Sequence, residues 1–112
     1  MRRFTCVVIL GGIVGLAGVA SAAEDAKDKG EAVFAAQKCG LCHSIAGKGN
    51  PKGAMDEALT KLTPAEIRSW ITDAKGMTAK TNATRKPAMK EFSLPKGDVD
   101  ALVAYLTSFK SK

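Results

Sequence analysis

Histidine, cysteine and aromatic residues are scarce in this chain of 112 residues. It has one His, three Cys, one Trp and one Tyr, and aromatics make up 5%. A single His leaves little room for catalytic histidine pairs. The length allows one domain and excludes a multi-domain enzyme. No alternating polar and apolar run marks a β-strand. No internal repeat and no low-complexity tract is found, which excludes a solenoid or a collagen. The longest apolar run, residues 4–20, has about 17 residues with several glycines, short of the roughly 20 that cross a bilayer. No aromatics interleave with the basic residues and no nucleic-acid motif is present, so nucleic acid is not an expected partner. What is present is an ordinary globular balance, 46% hydrophobic and 25% charged, enough apolar surface to exclude a disordered chain. The 17 Lys and Arg outnumber the 11 Asp and Glu, giving a net charge of +6.

The first residues have a composition of their own. Arg2 and Arg3 precede an uncharged stretch, residues 4–20, rich in Val, Ile, Leu and Gly. Ala20-Ser21-Ala22 then supplies the small residues of an A-x-A cleavage site. Basic, apolar and small-residue regions in that order describe a secretory signal peptide. The expected division is residues 1–22 as a cleaved signal and residues 23–112 as one domain, exported to the periplasm. An uncleaved anchor is the alternative. Cleavage removes Cys6 and leaves 15 basic against 11 acidic residues, a net +4. A domain of roughly 90 residues has a thin core, which a bound cofactor would reinforce.

Three helices are predicted. The first spans residues 25–38 and carries Val33 and Phe34. Gly30 weakens it as an isolated helix and makes sense where another helix crosses closely. The second starts at Thr63-Pro64-Ala65-Glu66, which reads as N-cap, first-turn proline and capping-box Glu. Ile67, Trp70, Ile71 and Ala74 follow on one face, and Gly76 is the expected terminator. The third begins near Pro95, with Val99, Leu102, Val103, Leu106 and Phe109 at helical period. Lys110 and Lys112 suit its negative end. Two long polar stretches, residues 44–53 and 77–95, are read as loops, and long loops in a small domain usually have a job.

Most of the chemistry lies in Cys39-Gly40-Leu41-Cys42-His43. This is C-x-x-C-H, the attachment motif of c-type haem. Two thiols one helical turn apart can add to the two vinyl groups of one haem. The adjacent imidazole then reaches the iron. Cys and His are rare enough that a chance match in this length is on the order of one in a thousand. A C-x-x-C dithiol belongs in a βαβ setting, and no strands are read. A zinc site needs four ligands, more than one His and two mature Cys provide. A disulfide across two residues would leave His43 without a reason.

With this motif at the end of its first helix, the sequence resembles class I c-type cytochromes, in particular the small soluble bacterial monohaem kind. The resemblance covers the whole mature chain. It implies an all-α fold, about three main helices plus loops wrapped around one haem. It implies that Gly30 and Phe34 pack against Tyr105 of the last helix. It also implies a methionine as the second axial ligand. Met89, in Lys86-Pro87-Ala88-Met89, resembles the family's Pro-x-Met loop. Met55 follows His43 by only 12 residues, too few to wall a haem. Met77 is the runner-up, and a lysine or an open site completes the alternatives. His43 and Met89 are thus the expected iron ligands, and Cys39, Cys42, His43 and Met89 the haem-binding set.

The family pattern also implies a proline carbonyl as acceptor for the second nitrogen of His43; Pro51 is the candidate, or else a plain turn proline. Trp70 is either core or a donor to a haem propionate. Lys38, Lys48, Lys52, Lys86 and Lys90 flank the haem motif and the Met89 loop. They form either a docking rim for acidic redox partners or a generally solvated surface. A Met/His pair raises the potential relative to bis-His, and two filled axial positions exclude substrate. The expected function is a monomeric electron carrier, not an enzyme, meeting the membrane only through partner complexes. An open-site gas-binding or catalytic haem protein, and a haem subunit of a larger oxidoreductase, are the alternatives.

Overall fold

The computed structural model describes residues 11–12 and 18–110. The protein is all-α. Among the described residues five α-helices follow one another: α1 (Gly18–Ala36), α2 (Asp56–Lys61), α3 (Pro64–Thr72), α4 (Ala74–Thr81) and α5 (Lys96–Thr107). Between α1 and α2 lie two short 3-10 turns, Cys39–Leu41 and Pro51–Gly53, and a small antiparallel hairpin. Its strands, β1 (Ser44–Ile45) and β2 (Lys48–Gly49), pair Ser44 with Gly49 and Ile45 with Lys48.

The crossing of α1 with α5 organises the core. Gly30 is buried where the two helices meet. A Cβ placed there would lie 2.0 Å from the Ala101 carbonyl oxygen and 2.5 Å from the Tyr105 Cβ. Only a hydrogen fits, which is why a poor helix former occupies a helix interior. One turn later Phe34 meets Tyr105 edge to face, ring centroids 5.7 Å apart, and Tyr105 meets Phe109 at 5.1 Å. The resemblance implied this contact, and the structure has it. Val99, Leu102, Val103 and Leu106 of α5 are buried against Ile67 and Ile71 of α3, Leu59 of α2 and Ile45 of β1. Each fully buried aliphatic side chain stabilises by about 1.5–3 kcal/mol. The Lys29–Asp98 ion pair between α1 and α5, at 3.3 Å, is largely exposed and contributes roughly 0–1 kcal/mol. The apolar faces, not the charges, therefore hold the helices together.

Several sequence expectations need correction. The single helix expected after Thr63 is two. Thr63 caps α3 as read, its hydroxyl accepting from the Glu66 N–H at 3.2 Å. The helix then breaks at Asp73, whose carboxylate accepts from the Gly76 N–H at 3.2 Å and starts α4. Gly76 is thus inside a helix rather than ending one, and the terminator is Asn82, in the left-handed region at φ 54°. Residues 77–81, read as loop, are helical for the same reason. α2 escaped the sequence reading because six residues carry too few periodic positions. The hairpin escaped because two-residue strands cannot show alternation. α1 begins at Gly18, earlier than residue 25, along an Ala-rich stretch of high helix propensity. α5 ends at Thr107, and Lys110 donates to the Leu62 carbonyl at 2.8 Å instead of capping the helix. Most of the expected signal, residues 1–22, lies outside the described residues. Among those described, no helix is long and apolar enough to cross a membrane.

Candidate haem site

α1 ends at Ala36, and Lys38 turns the chain in the left-handed region at φ 57°. The Cys39–Leu41 3-10 turn follows, so Cys39 and Cys42 sit on one tight turn, and the Cys42 N–H donates to the Cys39 carbonyl at 3.2 Å. Both thiols are free. Cys39 is half-buried and Cys42 exposed. Burial pushes the Cys39 thiol above its ordinary range, while a backbone hydrogen bond and the charge of Lys90 pull it partly back.

The segment after the motif folds back beneath it. The Asn50 N–H is shared between the carbonyls of Gly40 and His43, at 3.0 Å each. The Asn50 side chain donates to the Leu41 carbonyl at 3.0 Å and accepts from the Lys52 N–H at 3.0 Å. One residue thus ties the attachment turn to the loop. That loop brings the Gly53 carbonyl to Nδ1 of His43 at 3.0 Å. A carbonyl only accepts, so Nδ1 carries the proton and Nε2 keeps its lone pair for a metal. The acceptor is therefore Gly53, not Pro51. Pro51 acts one step earlier, opening the 3-10 turn that aims Gly53. Gly53 has no room for a side chain: a Cβ would lie 1.8 Å from the Cys42 carbonyl oxygen and 2.3 Å from the Arg85 guanidinium. Burial holds His43 below its ordinary pKa; the Gly53 bond acts the other way, and the charge of Arg85 adds to the lowering.

His43 and Cys39 line a cleft together with Met55 and Met89. Its other walls include Phe34 of α1, Ile71 of α3, Phe92 of the 82–95 loop, and Leu102 and Leu106 of α5. The enclosed space is small, about 30 Å³; its lining, not its size, marks it. Two free thiols on one turn, an imidazole with a fixed tautomer, a thioether, and aromatic and aliphatic walls suit a flat apolar macrocycle with a metal at its centre. The residues present fit a covalent haem. Among the described residues no group of three or more His, Cys, Asp or Glu could by itself hold a metal ion.

Met89 reaches this cleft from the loop between α4 and α5. Met77 does not; it is buried on α4, away from the cleft walls. Met55 does line it, a position the sequence spacing gave no reason to expect. Trp70 does not match the core reading made for it. It is half-buried, lies outside the core cluster and is not a cleft wall. Lys38, Lys48, Lys52, Lys86 and Lys90 are all exposed, and among the described residues none pairs with a carboxylate. Lys90 lies over the Phe92 ring, 5.1 Å from its centroid. The sequence reading missed Asn50, Gly53 and Arg85. Asn50-Pro51 carried a usable turn signal, whereas nothing local marks Arg85.

The family model for cytochrome c matches residues 27–110. No curated protein and no solved structure matches the chain.

Proposed function

The chain belongs to the cytochrome c family, and on that premise we propose that it is a periplasmic carrier of single electrons whose haem iron is held by His43 and Met89. Membership brings covalently bound haem c and a role in electron transfer. When bound, the haem supplies a one-electron iron couple. The observation that carries the finer reading is the cleft. It gathers Cys39, His43, Met55 and Met89 and leaves Met77 out, and of its two methionines Met89 stands 46 residues beyond His43 against 12 for Met55.

The chain's own residues then have distinct tasks. Cys39 and Cys42 attach the group through two thioethers. His43 presents Nε2 while the Gly53 carbonyl holds the proton on Nδ1, which fixes ring orientation and raises ligand basicity. Met89 offers a soft thioether, which favours the reduced metal. Phe34, Ile71, Phe92, Leu102 and Leu106 exclude water from the interior. With the iron held by His43 and Met89, the protein would carry electrons and perform no substrate chemistry.

The unpaired lysines beside the motif and the Met89 loop support a docking rim for acidic redox proteins, since like fields repel wrong partners and opposite ones speed encounter. This reading includes removal of residues 1–22 on export. It would leave Glu24 and Asp25 in the first turn of α1, where negative charge suits the helix dipole. The protein acts as a soluble monomer that meets membranes through its partners. Protein-film voltammetry of the exported holoprotein tests the carrier role: one reversible one-electron wave is expected, unchanged by added small oxidants. A catalytic current would favour an enzyme instead.

A further inference from the structure

We propose that Arg85 is a positioning residue that straps the Met89 segment onto the haem-attachment turn. The inference rests on Met89 as axial ligand and goes beyond it. The segment from Thr84 to Lys90 has no secondary structure and is exposed apart from Met89. After Met89 the chain is fastened twice: the Lys75 N–H donates to the Glu91 carboxylate at 3.3 Å, and the Phe92 N–H to the Ile71 carbonyl at 3.1 Å. Before Met89 the last backbone bond runs from the Ala83 N–H to the Thr78 carbonyl, at 3.1 Å. Between these ends, among the described residues, one hydrogen bond ties the segment to the rest of the molecule. The Arg85 guanidinium donates to the Cys42 carbonyl at 2.5 Å.

That bond spans 43 residues of sequence. It lands between the two residues that matter most on the other side, the Cys42 thiol and His43. The guanidinium also occupies the space left by the missing side chain of Gly53, whose carbonyl orients His43. One side chain therefore joins the turn carrying one axial ligand to the loop carrying the other. Without it, Met89 sits on seven residues fastened only at their ends. A charged donor on a carbonyl makes a stronger hydrogen bond than a neutral one, although water competes at this exposed position.

The test is replacement of Met89 by added imidazole in the exported holoprotein, followed by loss of the methionine–iron charge-transfer band. Arg85→Gln should speed the exchange about tenfold, equivalent to about 1.4 kcal/mol. Arg85→Lys should recover part of the lost protection, and Lys80→Gln, a charge control on α4, should change nothing. Exchange at the unaltered rate in Arg85→Gln overturns the proposal. So does an equal acceleration in Gly30→Ala, which weakens the fold without touching the strap. A band that survives in Met89→Ala overturns the ligand reading and this one with it. A band lost in Met89→Ala with unmoved exchange in Arg85→Gln overturns the strap alone.

Discussion

Replacing Gly30 by alanine adds one methyl group at the tightest point of the fold. Its carbon would stand 2.0 Å from the Ala101 carbonyl oxygen, 2.7 Å from the Ala101 carbonyl carbon and 2.5 Å from the Tyr105 Cβ. Ordinary contact begins near 3.4 Å, so the gap must open by about 1.4 Å. The Ala101 atoms are backbone and cannot rotate away. α5 has to move as a body, and Leu102, Tyr105 and Leu106 with it. Overpacking of this kind costs about 1–3 kcal/mol. Alanine in place of glycine returns up to about 1 kcal/mol of helix propensity. The 2.0 Å approach to backbone places the cost in the upper half of that range, so the net loss expected is about 1–2 kcal/mol, and more for Gly30→Val. In guanidinium chloride, with a slope of roughly 4 kcal/mol/M, the holoprotein midpoint should fall by about 0.3–0.5 M. Gly97→Ala is the control. The nearest atom there is the flexible Lys29 Nζ at 3.4 Å, so this variant should match or exceed the parent. A Gly30→Ala midpoint at or above the parent's would refute the close crossing.

Three further outcomes are expected. Haem in the exported protein should resist acid-acetone extraction, and the double variant Cys39→Ser with Cys42→Ser should hold extractable haem or none; haem that still resists in that variant would end the attachment claim. Raising salt should slow electron transfer to an acidic partner, because the Debye length is only about 10 Å at 0.1 M, and Lys48→Gln with Lys52→Gln should flatten that dependence without moving the potential. Lys96 first and Arg68 second hold the Asp100 carboxyl below its ordinary range. A depressed carboxyl stabilises the fold above its unfolded pKa of about 3.9 and loses that contribution as pH falls through the folded value. Asp100→Asn should therefore make the acid limb of the stability profile shallower, with an unchanged limb counting against the Lys96 and Arg68 contacts.

How much of this was legible in the sequence depended on how local each signal was. The attachment turn is contained in five consecutive residues. Thr63-Pro64-Ala65-Glu66 announces a helix start within one turn, and the structure has the cap. The period of α5 runs long enough to be read directly. Gly30 could be noticed as misplaced, and the resemblance supplied its partner. The break at Asp73 could not be read, because Ala74 continues the apolar period while the carboxylate that restarts the helix acts three residues on. Gly53 and Arg85 lie beyond local reasoning altogether. Their roles come from a carbonyl ten residues from His43 and a guanidinium 43 residues from Cys42. Trp70 shows the converse, since a residue at helical period need not reach the core when it sits at the edge of the apolar face.

The central claim, an iron closed on both sides by His43 and Met89, is tested most directly by adding carbon monoxide to the reduced, exported holoprotein. The parent protein and Met77→Ala are expected to show no carbon monoxide complex. Met89→Ala should form one promptly and lose the methionine–iron charge-transfer band of its oxidised form. Prompt binding of carbon monoxide by the parent protein, or an unaltered spectrum in Met89→Ala, would contradict the claim.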